Sequence, residues 1–167
     1  VFDKLLLPED SELRRAIEIS NPLGEDFSIM RTVSLNGMLA SLSTNFNRRN
    51  KVCRLYELGN IYLPKSLPLT ELPEERMQFT LGFYGEGDFF TMKGVVEEFL
   101  ESVGLDKKPE YDPEAGKSFL HPGRQALVCY DGKVLGYLGE VHPEVCENYD
   151  MKTRAYVAVL DMPEIVP

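Results

Sequence analysis

Residues Asn21 to Tyr62 read NPLGEDFSIMRTVSLNGMLASLSTNFNRRNKVCRLYELGNIY. Asn21-Pro22-Leu23 predicts an extended turn, because the proline ring excludes the helical region for the residue before it. Phe27 to Thr32 predicts a short strand with Arg31 embedded in it. From Ser34 the apolar residues Leu35, Met38, Leu39, Leu42 and Phe46 recur at spacings of three and four, one face of a helix over 34–47 capped by Ser34 or Asn36. The polar run Asn45 to Lys51 ends it. Val52, Arg54, Tyr56 and Leu58 then alternate with Cys53, Leu55 and Glu57 in a strand that Gly59 is expected to interrupt.

Outward from this block, Leu63 to Arg76 holds Pro64, Pro68 and Pro73 and predicts a loop, followed by a strand from Met77 to Tyr84. Gly85-Glu86-Gly87-Asp88 closes that strand and offers Asp88 as the N-cap of a helix that stops at Gly104. Its predicted inner face is Met92, Val95, Val96, Phe99, Leu100 and Val103, with Glu97, Glu98 and Glu101 in water. Gln125 to Tyr130 and Lys133 to Glu140 read as strands joined by Asp131-Gly132, the residue pair that a type I′ hairpin demands. A short helix opening at Val141-His142-Pro143-Glu144 and a last strand from Arg154 to Asp161 complete the pattern. Local, hairpin-type links between strands favour an α+β fold, an antiparallel sheet flanked by helices.

With 167 residues, 43% of them hydrophobic, the chain can build one sizeable core, so residues 1–167 are expected to form a single domain. No apolar run approaches the roughly 20 residues of a membrane span, and the N-terminus lacks the pattern of a signal peptide. The absence of an initiator methionine and the ragged ending at Pro167 suggest a segment of a longer polypeptide. The three cysteines, Cys53, Cys129 and Cys146, have no C-x-x-C spacing and read as buried reduced thiols, which fits a cytoplasmic setting. A formal charge of −9 argues against an autonomous nucleic-acid binder. The short basic clusters Arg48-Arg49 with Lys51 and Lys107-Lys108 read as solvated loops.

No catalytic constellation emerges from the residues. His121 and His142 are each followed by proline and lack partners at ligand spacing, which favours turn and helix-start roles over metal binding. Gly85-x-Gly87 is followed by Asp88, not by the lysine and hydroxyl of a phosphate loop. No serine, cysteine or lysine sits in a nucleophile context. No catalytic, cofactor-binding or metal-binding residue is therefore assigned.

The succession of NPL turn, MRT strand, amphipathic helix and RLYELGN strand resembles the catalytic-like domain of the bacterial phenylalanine-tRNA ligase beta chain. Asp88 to Gly94 (DFFTMKG), Leu120 to Arg124 (LHPGR) and Leu138 to Val145 (LGEVHPEV) extend the likeness. The resemblance implies a class II aminoacyl-tRNA synthetase fold and marks Asn21, Pro22, Met30, Arg31, Thr32, Arg54, Glu57 and Gly59 as motif residues with structural roles. It further implies an α2β2 assembly with an alpha chain, joining phenylalanine to tRNA in the cytoplasm with ATP and magnesium.

In the related catalytic alpha chain, a GRVYR-type strand ends in an arginine that holds the ATP α-phosphate. Here Leu63 stands in that place. A glycine-rich, arginine-bearing G-L-G-x-E-R strand and helix of the alpha chain is matched by Ala155 to Pro163, bulky and neutral up to Asp161. The resemblance thus implies a scaffold that binds no cofactor itself. Arg31 and Arg54 are open to two roles, phosphate contacts or pairing with Glu57, Glu25 or Asp26. Two other functions compete: a ligase with unusual phosphate ligands such as Arg31, Arg54 or Arg124, and a regulatory relative that binds an amino acid without activating it.

Overall fold

The computed structural model describes residues 1–19, 29–65, 67 and 71–166. Six strands form one antiparallel sheet: β1 (Cys53–Leu63), β2 (Glu74–Tyr84), β3 (Glu110–Asp112), β4 (Leu120–Tyr130), β5 (Lys133–Val141) and β6 (Ala155–Asp161). Their spatial order is β1-β2-β6-β5-β4-β3, so the last strand of the chain is driven into the middle of the sheet. Burial on both faces explains why β6 is a nearly unbroken apolar run. Ala155, Val157 and Val159 feed one core, while Tyr156, Ala158 and Leu160 feed the other.

Helix α1 (Leu35–Asn47) covers the first face with Leu35, Met38, Leu39 and Leu42, all buried, and with half-buried Phe46 edge-on to the Tyr84 ring. Ser34 occupies the N-cap position but makes no side-chain cap bond. Its backbone is already helical, and its hydroxyl accepts from Thr80 Oγ1 at 2.8 Å inside the core. Asn36 likewise accepts from the Tyr149 hydroxyl at 2.7 Å instead of capping. A Cβ on Gly82 would lie 2.8 Å from Met38 Sδ, so the missing side chain sets how closely α1 rests on β2.

Helix α2 (Phe89–Ser102) covers the second face with Met92, Val96 and Leu100. Asp88 and Thr91 form a reciprocal capping box, and Gly104 has φ +99°, the left-handed stop that glycine tolerates. Val103, expected on the inner face, is exposed because it lies past the last turn. Glu97, expected in solvent, accepts from the Tyr111 hydroxyl at 3.0 Å, since β3 brings that ring alongside the helix.

The hairpin of β4 and β5 forms with positive φ at both Asp131 and Gly132. β4 starts earlier than expected, at Leu120, with a register shift between Leu120 and Gln125 that throws out the His121-to-Arg124 corner. Helix α3 (Pro143–Asn148) has proline in its first turn, and His142 Nδ1 accepts from the Glu144 amide at 3.1 Å. Helix α4 (Met162–Ile165) continues directly from β6.

Three further expectations change. Gly59 does not interrupt β1, which runs on to Leu63 with Gly59 opposite Gln78, and β2 begins at Glu74 because pairing with Leu63 outlasts the proline loop. Of the expected strand Phe27 to Thr32, Phe27 and Ser28 fall outside the described residues, Ile29 makes a lone bridge to Glu18, and Arg31 and Thr32 belong to no strand. All three cysteines are free, but Cys129 is only half-buried. Among the described residues no helix is long and apolar enough to cross a membrane.

Candidate functional site

On the α1 side of β1 the motif residue Arg31 meets two others from the strand itself, Glu57 and Gly59. Arg31 Nη1 donates to Glu57 Oε1 at 2.6 Å and Nε donates to the Asn60 carbonyl at 2.6 Å. The guanidinium lies over Gly59, where a Cβ would come within 1.9 Å of Nη2 and 2.8 Å of Glu57 Oε1. The glycine is therefore a seat for an arginine rather than a break in a strand. The Arg31 carbonyl also accepts from the Tyr62 amide at 2.8 Å, which ties the segment to the sheet edge. Next to it the buried Thr32 hydroxyl donates to the Leu13 carbonyl, and the Met30 amide donates to the Ile17 carbonyl at 2.8 Å.

Arg54 does not join this group. It projects from the opposite face of β1, stacks at 5.9 Å over the Phe83 ring, and among the described residues has Glu86, at 3.8 Å, as its one carboxylate partner. The expected partner Glu57 already belongs to Arg31. Asn21 and Pro22 lie outside the described residues, as do Glu25 and Asp26.

Beyond the Arg31 group, toward the end of the sheet, lies a pocket of about 200 Å³ whose polar lining includes Thr32, Gln78, Lys117, Tyr137 and Asp161. Lys117 Nζ sits 5.0 Å from the centre of the Tyr137 ring, and burial holds the amine below the ordinary lysine range against the pull of Asp161. Burial also pushes the Tyr137 hydroxyl above the ordinary tyrosine range. Asp161 accepts from Gln78 Nε2 at 2.8 Å.

At the mouth of this region Leu63 ends β1 opposite Glu74. The nearby cation, Arg76, is fully engaged: Glu74 at 2.9 Å, Glu164 at 3.2 Å and Asp161 at 3.9 Å. The Glu74 hydrogen bond leads the effects that raise its already high pKa, and Arg76 in turn holds the Glu164 carboxyl below its usual range. An arginine held by three carboxylates is not free to take a phosphate. β6 offers no glycine along which a nucleotide could approach the backbone, and its Val157 and Val159 fill the sheet centre. The donor set therefore does not fit ATP with magnesium. Among the described residues no group of three or more His, Cys, Asp or Glu side chains is arranged to hold a metal.

A second, larger cleft of about 480 Å³ opens between the β4 corner and α3, with His121, Arg124, Glu140, Cys146 and Arg154 along it. Glu140 is almost wholly buried, with Arg124 Nη1 at 3.5 Å from each carboxylate oxygen. Desolvation first, then this carboxylate, raises the neighbouring Tyr156 hydroxyl. Cys146 is pushed up to about 11 by burial, the wrong direction for a nucleophile. His121 spends its Nδ1 on the Gly123 amide at 3.0 Å. Among the described residues neither pocket shows a side-chain hydrogen bond from Cys146 or Lys117 to a base.

Sequence reasoning missed Arg76, Lys117, Asp161 and Glu140. Arg76 was hidden in a segment read as a proline loop. Lys117 and Asp161 meet in the small pocket only through the strand order, which no local pattern carries, and Glu140 lies apart in the larger cleft beside Arg124.

The description "Phenylalanyl tRNA synthetase beta chain CLM domain" belongs to the family model that matches residues 1–162. The chain is 48% identical over 162 residues to the phenylalanine–tRNA ligase beta subunit of Clostridium acetobutylicum, covering 97% of this chain and 20% of that protein. It is 41% identical over 162 residues to the protein of the same name from Clostridium tetani, with the same coverage. It is 37% identical over 172 residues to that of Symbiobacterium thermophilum, covering 96% and 19%. The chain thus spans about a fifth of the length of these curated relatives. Among solved structures, pyrrolysyl-tRNA synthetase from Desulfitobacterium hafniense superposes with a TM-score of 0.76 at 13% identity, covering 99% of this chain and 57% of that one, a likeness of fold.

Proposed function

Because the chain belongs to the phenylalanyl-tRNA synthetase beta-chain family and has the α+β class II synthetase fold, we propose that it is the catalytic-like domain of that beta subunit and works as a non-catalytic scaffold. In this reading residues 1–167 form one domain of a longer chain. The whole enzyme is an α2β2 assembly in the cytoplasm that attaches phenylalanine to tRNA at the expense of ATP with magnesium, and the alpha chain holds both small substrates.

One observation carries the scaffold role. The neighbouring Arg76 is sequestered by Glu74, Asp161 and Glu164, beside Leu63, which the family resemblance sets in the place of the alpha chain's phosphate-holding arginine. Adenylation develops negative charge that needs a preorganised cation; here the available cation is neutralised by its own fold. The rival reading, a binding site for an amino acid, is favoured only by the juxtaposition of Lys117 and Asp161 across the small pocket.

Phenylalanine-dependent pyrophosphate exchange and calorimetric titration test the readings together. The scaffold reading expects exchange at the protein-free background and no saturable heat with ATP or phenylalanine. Exchange that disappears on Arg31→Ala or Arg54→Ala would replace it with a ligase. Saturable phenylalanine binding without exchange, lost in Lys117→Ala, would replace it with a regulatory site.

A further inference from the structure

Helix α2 packs over β5 and β6 and α4 packs over β2 and β5, and among the described residues these leave Tyr56, Leu58 and Met77 of the same sheet face largely uncovered. The pairs Tyr56↔Leu81, Leu58↔Phe79 and Asn60↔Met77 put all six side chains on that face, since directly opposed residues of antiparallel strands point the same way. Tyr56 is 75% exposed, Leu58 56% and Met77 45%. Aromatic contacts join them to the covered part: Tyr56 to Phe79 at 5.9 Å and Phe79 to Phe99 of α2 at 4.3 Å. Single exposed apolar residues need no explanation, but a contiguous aromatic and aliphatic patch on an edge strand marks a surface meant to be covered.

We infer that the face centred on Tyr56, Leu58 and Met77 is the seat of a second, different polypeptide, one that presents an apolar patch rimmed by lysine and arginine. Charge decides between occupants. Each copy of this chain carries −9, so two copies would meet with like charge. Glu75 shares the face just past Met77, being paired with Tyr62, and would oppose its own equivalent in many self-docked arrangements. At the other end Glu86 already offsets Arg54. A nucleic acid is a poorer occupant still, for it would bring phosphates to an acidic, apolar surface. A protein with a basic rim satisfies both the apolar centre and the acidic margin. A stable interface buries about 800 Å² per partner, so these side chains would be the anchoring centre of a wider footprint.

The inference rests on the proposed subunit role and names the surface through which the alpha chain is held. Its test uses the full-length beta subunit titrated with the alpha subunit in surface plasmon resonance. Tyr56→Ser with Leu58→Ser is expected to weaken binding at least tenfold, mostly through faster dissociation, while Tm falls only slightly because both side chains are more than half exposed. Added salt is expected to slow association of the wild type. Binding within twofold of wild type overturns the surface assignment and leaves the scaffold role standing; failure of the wild-type subunit to bind the alpha chain removes that role itself. Replacing Tyr56 by p-benzoyl-phenylalanine gives a readout that does not depend on the double variant folding: a photo-crosslink to the alpha chain supports the inference. Crosslinks only within the beta subunit, or to a second copy of it, overturn it.

Discussion

On the face of β1 that looks toward α1, every large group has found its partner: Cys53 and Ile61 are buried, Leu55 packs on the core, and Arg31 rests on Gly59 between Glu57 and the Asn60 carbonyl. On the opposite face of the same strand Arg54, Tyr56 and Leu58 stand largely in water, and beyond the Phe83 ring the arginine has, among the described residues, a single carboxylate 3.8 Å away. The motif residues that make the family recognisable lie mostly on the finished face, where they brace the fold. The same RLYELGN strand also turns Arg54, Tyr56 and Leu58 to the open face, so a recognisable motif does not by itself tell the braced side of the strand from the side left for a partner.

The comparison breaks first if the finished face is not the one that carries stability. Leu42, fully buried on the inner face of α1, should cost about 2–5 kcal/mol when cut to alanine, through lost burial and the cavity left behind. Ser41→Ala, one residue away on the exposed side of the helix, should change stability by less than about 0.5 kcal/mol. Denaturant unfolding of both variants checks this, and equal losses would mean that α1 has been oriented wrongly.

A smaller effect is expected at Gly59. A methyl group there drives the Arg31 guanidinium off its seat. Both partners of the ion pair are more than a third exposed, so solvent screening limits it to under about 1 kcal/mol, with a similar amount from the bond to Asn60. Gly59→Ala should therefore cost about 1–2 kcal/mol, and the cost should fall by more than half when Arg31 is already alanine. Additive effects in this double-mutant cycle would show that the glycine serves backbone conformation instead. On the open face Arg54→Ala should stay within about 0.5 kcal/mol, because its charge is solvated and its ion pair is long.

Much of the fold was legible. The spacing from Leu35 to Leu42 gave the buried stripe of α1, Asp88 gave the start of α2, and Asp131-Gly132 gave the hairpin, because each is a short-range signal written in adjacent residues. Gly59 was misread because glycine in a strand has two meanings, a break or a close approach, and only the position of Arg31 separates them. The start of β2 at Glu74 escaped because the proline count outweighed a pairing partner that lies beyond the loop. β3 and α4 are too short to show a period. Tyr56 and Leu58 alternate just as core residues do, so nothing local could reveal that α2 stops short of them. The Arg76 cluster needs Asp161 and Glu164 from the far end of the chain, and that meeting depends on β6 entering the sheet beside β2.

The finest distinction between protected and accessible regions is chemical and uses the thiols. Cys53 and Cys146 are buried in the α1-side core, and desolvation raises both, Cys146 to about 11; half-buried Cys129 is raised by desolvation first and then by Asp112 and Glu110. A raised folded-state pKa means that the unfolded chain loses its proton first. The stabilisation is therefore complete below the unfolded thiol value near 8.5 and is lost as pH climbs from there through about 11 for Cys146. Stability should decline over that interval, and Cys146→Ala should flatten the decline while lowering the plateau by the loss of a packed side chain. In native protein near pH 8 a disulfide reagent should modify Cys129 first and reach Cys53 and Cys146 only as fast as the domain opens. If Cys146 reacts at the rate of Cys129, its burial between α3 and the sheet is wrong, and the contrast between a closed α1 face and an open β1–β2 face loses one of its supports.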